Sequence, residues 1–293
     1  MDITNILRSV FDAEAKPINY AALTSEQWRK IYTFSAEQGI LAIVWDVLQQ
    51  TAKRDSSTLA NMPRELKIRW ALNVEQIEQK YARQKAVIEK LSVFLAQHDI
   101  KMMVVKGYGL SLCFPRADHR PCGDIDVWFF TEHTEDGRTV RKSAQQKADE
   151  LLREHFKIRI NEDEHHHTVF YDDGVMIENH YDFINIHAHR SNRIIEQKLK
   201  SLAQAKLESA QVGDGVVYFP SPDFHALFLL RHSAAHFAAE KIGIRHLLDW
   251  RYYVEVYNDS IDWTWLEGFA REMNMHRFLY AMNAICVDYL GLP

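Results

Sequence analysis

The first third of the chain carries apolar residues at helical spacing. Thr24 and Gln27 have the spacing of a capping box, in which each side chain bonds the backbone of the other residue. Pro63 suits the first turn of a further helix, because its missing N–H would have no partner there. We predict a helical N-terminal region over residues 1–98, with one long helix, or two with a break, from 63 to about 97. The apolar positions that carry this spacing are Trp28, Ile31, Tyr32, Leu41, Val44, Trp45, Leu48, Leu66, Trp70, Val74, Ile77, Tyr81, Ile88, Leu91 and Leu95.

The middle of the chain changes to the period of two that is typical of strands. Residues 102–105 form a short apolar run, and apolar positions alternate along residues 125–129. Two further predicted strands, 168–171 and 175–181, flank an Asp-Asp-Gly turn. Residues 138–155 are rich in helix formers. Strands, a helix and a hairpin in this order predict a small mixed sheet with helices packed on it.

The last third returns to helical spacing after a Ser-Pro-Asp start signal at residues 221–223. The whole pattern predicts an α+β fold. Its small mixed-sheet core covers about residues 99–200, between the helical N-terminal region and a helical C-terminal region over residues 201–293. The helices predicted in the C-terminal region cover residues 224–239, 244–256, 263–273 and 275–290.

Composition narrows the class of protein. With 35 lysines and arginines against 40 aspartates and glutamates, the net charge is −5, so no strong nucleic-acid signal is present. The three cysteines form no C-x-x-C pair, which argues against a disulfide framework or a cysteine zinc site. Residues 1–5 lack the features of a secretory signal, and the most apolar stretch, 39–48, is about half of the ~20 residues that span a bilayer. We therefore predict a cytoplasmic protein without a membrane partner.

Two aspartates on one predicted strand are the most informative residues. Asp124 and Asp126 are two positions apart, so in a strand they point to the same face. Two carboxylates this close repel each other unless a positive charge lies between them. A divalent ion fills that role, and Mg²⁺ prefers carboxylates together with water and phosphate oxygens. A third acid on a neighbouring strand would complete a two-metal site.

The second strand of the predicted hairpin supplies a candidate for that acid. Met176, Glu178 and His180 share one face of this strand, and Glu178 interrupts an otherwise apolar run. If this strand lies beside the one that carries the aspartates, three carboxylates converge. The alternative is a solvated strand face for Asp124 and Asp126 and a surface position on the hairpin for Glu178.

The segments around these acids resemble a known family. They are similar to the uncharacterised nucleotidyltransferase family of bacteria, which belongs to the DNA polymerase β-like nucleotidyltransferase superfamily. The resemblance spans most of the chain. It implies transfer of a nucleoside monophosphate from an NTP, with two Mg²⁺ ions held by Asp124, Asp126 and Glu178. The segments that carry it are Val-Lys-Gly at 105–107, Phe-Pro at 114–115, Arg-Pro-Cys-Gly-Asp-Ile-Asp-Val at 120–127, Ile-Glu-Asn-His at 177–180, the helical front with Trp28, and 232–250.

The turn before the aspartates departs from the superfamily pattern. A Gly-Ser or Gly-Gly turn is common there, whereas this chain has Lys106 and Gly107, without the serine that often contacts the triphosphate. Lys106 would hold a phosphate as a point charge, and Gly107 would allow close backbone approach. Arg120, and less strongly Arg116, would bind the β and γ phosphates, the alternative being surface arginines. His180 would orient a carboxylate or contact substrate, or else have a structural role.

The sequence does not identify the acceptor, and it is compatible with two other functions. A protein, a small molecule and RNA are all chemically compatible acceptors. One rival is a catalytically degenerate module that binds nucleotide or a partner. The other is a histidine-based zinc hydrolase, because His232 and His236 lie four apart on one helical face. They lack the acid of an H-E-x-x-H motif, so we expect them to pack against the catalytic core or to line the nucleotide cleft.

Two further polar groups have ordinary interpretations. Residues 165–167, three consecutive histidines, follow three acids and are predicted to be a solvated loop, since neighbours in a strand point to opposite faces. Arg245, His246 and Asp249 have helical spacing. We expect an ion pair within one helix there, with contact to a nucleotide base or a second substrate as the alternative.

Overall fold

Helix α1 (Ser25–Glu37) begins at the predicted capping box. The backbone N–H of Gln27 donates to the Thr24 hydroxyl (3.3 Å), and the backbone N–H of Thr24 donates to Oε1 of Gln27 (2.9 Å). Helix α2 (Leu41–Arg54) follows. Helix α3 (Arg64–Ala96) then runs for 33 residues as one element, so the hypothesis of a single long helix is confirmed.

The computed structural model describes residues 10–11 and 18–293. The rest of the predicted N-terminal region before residue 18, including residues 1–5 considered for a secretory signal, lies outside the described residues. Within the described ranges, no helix combines the length and apolar character needed to cross a membrane. Further α-helices after residue 96 are α4 (Tyr108–Ser111), α5 (Gln145–Phe156), α6 (Arg190–Leu202), α7 (Pro222–Ala239), α8 (Ile244–Tyr257), α9 (Trp263–Glu272) and α10 (His276–Leu290).

Within the part of the chain that the structure describes, eight strands form one mixed sheet. They are β1 (Lys101–Val104), β2 (Ile125–Glu135), β3 (Arg138–Ser143), β4 (Ile160–Asn161), β5 (His167–Asp172), β6 (Val175–His180), β7 (Glu208–Val212) and β8 (Gly215–Phe219). Their order is β4-β5-β6-β2-β1-β8-β7, and β3 pairs with β2. The pairs β2–β6 and β1–β8 are parallel, and the other pairs are antiparallel. The predicted α+β class, a mixed sheet flanked by helices, is confirmed.

The sheet is larger than the sequence pattern indicates. Residues 138–155, predicted as helix, contain β3 before α5, because Asp136 and Gly137 form a left-handed turn (φ 49° and 73°) that folds the chain back onto β2. The hairpin of β7 and β8 lies within 201–293, where the pattern predicts only helices, and β8 pairs with β1. The sheet therefore continues past the predicted boundary at residue 200.

Alternation along β2 divides the apolar interior into two cores. Ile125 and Val127 face a core built with α5 and the C-terminal part of α3. Trp128 and Phe130 face a larger core that includes α6 and α7. Asp126 lies two positions before Trp128, so its side chain points to the same face as Trp128 and Phe130, where it is fully buried. The acids therefore lie on the side of the sheet that the C-terminal helices cover.

Candidate active site

Strands β2 and β6 bring two of the predicted acids together. The strands are parallel neighbours, and Asp126 pairs with Glu178 in register. The expected adjacency of these strands is therefore confirmed. Paired residues of neighbouring strands project to the same face, so both carboxylates lie on one side of the sheet. Asp124 lies immediately before β2, two positions from Asp126.

Lys106 supplies a positive charge to this group. Its Nζ lies 2.8 Å from Oδ1 of Asp126. Burial opposes the charge on both side chains, but their attraction prevails, lowering the pKa of Asp126 and, with help from Asp124, raising the pKa of Lys106. The second carboxylate oxygen, Oδ2 of Asp126, is buried and has no hydrogen-bond partner among the described residues.

Glu178 is the half-buried acid of the group, with 17% of its side chain exposed. Burial, followed by the negative charge of Asp126, raises the pKa of Glu178 to about 7. The charged form of this side chain is thus disfavoured where it stands. A cation at this position would relieve that penalty.

The side chain of His180 is oriented by the backbone. Its Nδ1 lies 3.1 Å from the carbonyl oxygen of Asp182, which only accepts, so Nδ1 carries a hydrogen and donates it. Its Nε2 lies 3.2 Å from Oδ1 of Asp126 and 3.7 Å from Oε2 of Glu178. The ring therefore stands directly beside both carboxylates.

These contacts define a group with the spacing of metal ligands. One ligand atom from each of Asp126, Glu178 and His180 lies within 4.8 Å of the others. Asp124 is outside this trio, although its charge acts on both Lys106 and Glu178. Of the seven predicted site residues, the structure thus gathers Asp126, Glu178, His180 and Lys106 most closely.

The prediction of a solvated loop at residues 165–167 is wrong for the last of them. His167 opens β5, pairs with His180 across the hairpin and is 6% exposed. Its Nε2 lies 3.9 Å from Oε1 of Glu178. Burial, followed by the charge of His180, lowers the pKa of His167 to about 3 and that of its neighbour His166 to about 4. Both rings are therefore neutral near pH 7.

Gly107 lets the lysine turn approach the aspartate segment. Its backbone dihedrals, φ 60° and ψ −104°, are accessible to glycine and strongly disfavoured for residues with a side chain. A Cβ at this position would lie 3.1 Å from the carbonyl oxygen of Asp124. The close approach that Gly107 permits here is to the protein backbone, and approach to a phosphate stays a prediction.

We expect Gly107→Ala to lower the free energy of unfolding by about 1–3 kcal/mol, because alanine must adopt a strained backbone against Asp124. Urea unfolding measures this change. Gly123→Ala is the matched control, since a Cβ there meets nothing within 4 Å, and we expect it to change stability by about 0.5 kcal/mol or less. Equal stabilities of the two variants would contradict the role assigned to Gly107.

Arg120 is buried, so the alternative of a surface arginine is wrong. Its Nε and Nη2 donate to the two carboxylate oxygens of Asp249 on α8 (2.6 and 2.8 Å). Its Nη1 donates to the carbonyl oxygen of Gly107 (3.1 Å). Arg120 thus links the lysine turn to α8. It also lines the cleft beside the acids, and its contact with a phosphate stays a prediction. The expected ion pair within α8 is also wrong for Asp249, which pairs with Arg120.

A cleft of about 410 Å³ lies beside the acids, between the sheet and helices α7 and α8. His232 and His236 line it, as the sequence predicts, and His246 joins them with ring centres 4.5 to 6.2 Å apart. Burial is the main cause that lowers the pKa of His232 to about 2, so this ring is neutral. The lining residues are Lys106, Gly107, Leu110, Arg120, Pro121, Gly123, Asp124, Leu229, His232, His236, Glu240, Lys241, Arg245, His246 and Asp249.

Comparison with known proteins supports the family resemblance found in the sequence. No protein of curated function matches the chain. One solved structure, an antigenic nucleotidyltransferase-like protein from Paracoccidioides brasiliensis, is 13% identical, with a TM-score of 0.41 over 68% of this chain and 90% of that one. A likeness this distant does not bear on function. Residues 24–291 match the family model described as an uncharacterised nucleotidyltransferase. The protein therefore belongs to the uncharacterised nucleotidyltransferase family.

Proposed function

We propose that this protein transfers a nucleoside monophosphate from an NTP to an acceptor hydroxyl or phosphate, as expected of the polymerase β-like superfamily. In this step the acceptor oxygen forms a bond to the α-phosphorus. The bond from that phosphorus to the bridging oxygen breaks, pyrophosphate leaves, and the acceptor's proton passes to Glu178 or to solvent. The observation that carries the proposal is the register of β2 and β6, which sets Glu178 directly beside Asp126.

The donor set fits divalent cations. Oδ2 of Asp126 is a buried acceptor without a partner among the described residues, which is costly unless a cation or donor meets it. When Glu178 is ionised, it carries with Asp124 and Asp126 three negative charges against the one positive charge of Lys106. One divalent ion balances that difference, and the phosphates of an NTP would bring the charge that holds a second.

The residues have separate roles in this proposal. Asp124 and Asp126 would hold two Mg²⁺ ions, and Glu178 would hold the one on the acceptor side. Such ions neutralise phosphate charge and favour ionisation of the attacking oxygen. Lys106 keeps Asp126 ionised and in place, and it lines the cleft where a triphosphate would lie. Catalysis would come from positioning and charge neutralisation, as in other phosphoryl transfers.

Two cavities reach different acids of the group, which favours separate places for nucleotide and acceptor. The 410 Å³ cleft reaches Asp124, whereas a second cavity of about 810 Å³ reaches Glu178 and His167. We assign the nucleotide to the first and the acceptor to the second. Three consecutive acids, residues 162–164, line the second cavity and would repel a polyanion. A protein or small-molecule acceptor therefore fits better than RNA.

Incubation with α-labelled ATP, GTP, CTP or UTP and Mg²⁺ tests the proposal. We expect the wild type to release pyrophosphate and to transfer label, and the double variant Asp124→Asn/Asp126→Asn to do neither. Equal turnover by both proteins would refute the enzyme hypothesis. Nucleotide binding without turnover by the wild type would instead identify the chain as the degenerate binding module.

A further inference from the structure

His119 lies between two carboxylates of the helical N-terminal region. Its Nδ1 is 2.6 Å from Oδ2 of Asp46 on α2, and its Nε2 is 2.8 Å from Oε1 of Glu78 on α3. The imidazole is 2% exposed, so it has little contact with water. Both ring nitrogens are therefore engaged with carboxylate oxygens.

These two contacts specify the protonation state of the ring. An ionised carboxylate only accepts hydrogen bonds, and a neutral imidazole has a single N–H to donate. Asp46 and Glu78 have 23% and 36% of their side chains exposed, so water helps to stabilise their negative charges. Two short contacts to acceptors at once therefore require hydrogen on both nitrogens of His119, as in an imidazolium ion.

The charges around the ring also favour a positive histidine. Arg116 and Asp118 belong to the same segment of the chain and pair at 2.9 Å. Arg116 also approaches Asp46 (3.5 Å) and Glu78 (2.9 Å). Helix α4, which packs against this turn as well, contributes no charged residue. Three carboxylates therefore face one arginine, and a protonated His119 supplies a second positive charge.

The direction of the pKa shift agrees with this geometry. Burial opposes the charge on His119, but its hydrogen bonds to Asp46 and Glu78 prevail and raise its pKa above the ordinary 6.5. The folded protein therefore keeps a proton that the unfolded chain releases as pH rises. The resulting contribution to stability is complete below about pH 6.5 and is lost as pH rises through the raised pKa.

The place of His119 in the chain gives its protonation a structural consequence. Residues 116–120 precede the acidic strand, and Asp124 lies only a few positions after His119. We infer that His119 is a proton-dependent bridge: the imidazolium fastens the segment that leads to Asp124 to both α2 and α3, and loss of one ring proton at alkaline pH releases one of the two helices. The inference does not depend on the proposed function, because it concerns only how this segment is attached.

NMR of the ring nitrogens tests the inference in the unsubstituted protein. Long-range ¹H–¹⁵N correlation distinguishes a protonated ring nitrogen from one with a lone pair, and the His119 signals are assigned through its own backbone. At about pH 7, where an ordinary histidine is mostly neutral, we expect both nitrogens of His119 to be protonated. A lone pair on either nitrogen at this pH would overturn the inference.

A change in one carboxylate tests whether the bridge holds the proton. Glu78→Gln replaces a charged acceptor by a neutral amide, so we expect the NMR titration midpoint of His119 to fall by about one pH unit or more. Glu75→Gln is the matched control, an exposed acid of the same helix, and it should leave the midpoint unchanged. The same midpoint in Glu78→Gln and the wild type would contradict the bridge.

Urea unfolding measures the pH dependence of the contact. At about pH 6 we expect His119→Gln to increase the equilibrium constant of unfolding about 10-fold or more over the wild type. This excess should fall to about threefold or less at about pH 10, where the wild-type ring has lost its proton. Comparison at each pH cancels the contribution of Glu178. An excess that is independent of pH would show that the ring acts through its shape and would overturn the inference.

Hydrogen exchange locates the effect in the chain. At about pH 6, amides of residues 116–124 should exchange about 10-fold faster in His119→Gln than in the wild type, and those of β5 and β6 should not change. His133→Gln is the control, because His133 and its partner Glu135 are 36% and 51% exposed and such pairs contribute little. Exchange of residues 116–124 at the wild-type rate in His119→Gln would contradict the attachment assigned to His119.

Discussion

Replacement of Glu178 by glutamine should reduce nucleotidyl transfer by about 10³-fold or more while leaving the metal-free fold at least as stable as the wild type. The loss corresponds to about 4 kcal/mol of transition-state stabilisation, which is in the range of a metal ligand's contribution. The gain in stability has a separate cause. Burial and Asp126 disfavour the charged carboxylate, and a neutral amide of the same size removes that penalty.

The sign of the stability change depends on pH. The pKa of Glu178 rises from its ordinary 4.5 to about 7 in the fold, so the folded protein holds a proton that the unfolded chain releases. Wild-type stability therefore falls as pH rises from about 4.5 to about 7. Above this range we expect Glu178→Gln to be more stable by on the order of 1–3 kcal/mol in urea unfolding with a chelator present.

A matched control distinguishes this pattern from a general effect of removing charge. Glu150 is an exposed acid on α5, and Glu150→Gln makes the same chemical change away from the site. We expect this control to keep full activity and wild-type stability. Undiminished transfer by Glu178→Gln would remove Glu178 from the mechanism, and a large loss of its stability would show that the carboxylate is structural.

Arg120→Met should destabilise the protein by about 3–5 kcal/mol, because it leaves the carboxylate of Asp249 buried without its partner. The Arg120 and Asp249 side chains are only 7% and 9% exposed. The double variant Arg120→Met/Asp249→Leu removes both charges, and we expect it to recover most of that loss. Urea unfolding of the two variants and the wild type measures the difference.

Arg116→Met is the control for this experiment. Arg116 lies in the same loop, is 48% exposed and pairs with Glu78 and Asp118. Exposed pairs contribute little, so we expect a loss of about 1 kcal/mol or less. A double variant at Arg120 and Asp249 that is as unstable as Arg120→Met would show that shape, and not unpaired charge, makes this contact important.

The adjacency of Asp126 and Glu178 was predictable because it depends on local pattern and on one strand pairing. Alternation fixes which face of β6 carries Glu178. The neighbouring strand β2 places Asp126 on that same face. His167 could have been found in the same way. The turn at Asp173 pairs the hairpin strands, and counting back from it aligns His167 with His180. The two histidines before His167 obscure this pairing, because three consecutive polar residues favour the prediction of a solvated loop.

Other features could not be predicted from the sequence, because they depend on contacts between residues that are far apart in it. The Arg120–Asp249 contact joins residues 129 positions apart, and no spacing rule connects them. The strands β7 and β8 are short, with polar positions interspersed, and only their place beside β1 makes them part of the sheet. Both features depend on tertiary contacts, so the pattern of residues within a short segment does not predict them.

The parallel pairing of β1 with β8 has a consequence for biosynthesis. Met103 pairs with Tyr218, so the strand before Lys106 must wait for more than one hundred further residues to leave the ribosome. Until then β1 is a sheet edge with open backbone groups, the kind of surface that recruits other chains into aggregates. Release of the nascent polypeptide at residue 200 would make that exposure permanent. The last two strands thus protect the sheet from self-association, although they contribute no residue to the group of Asp126, Glu178 and His180.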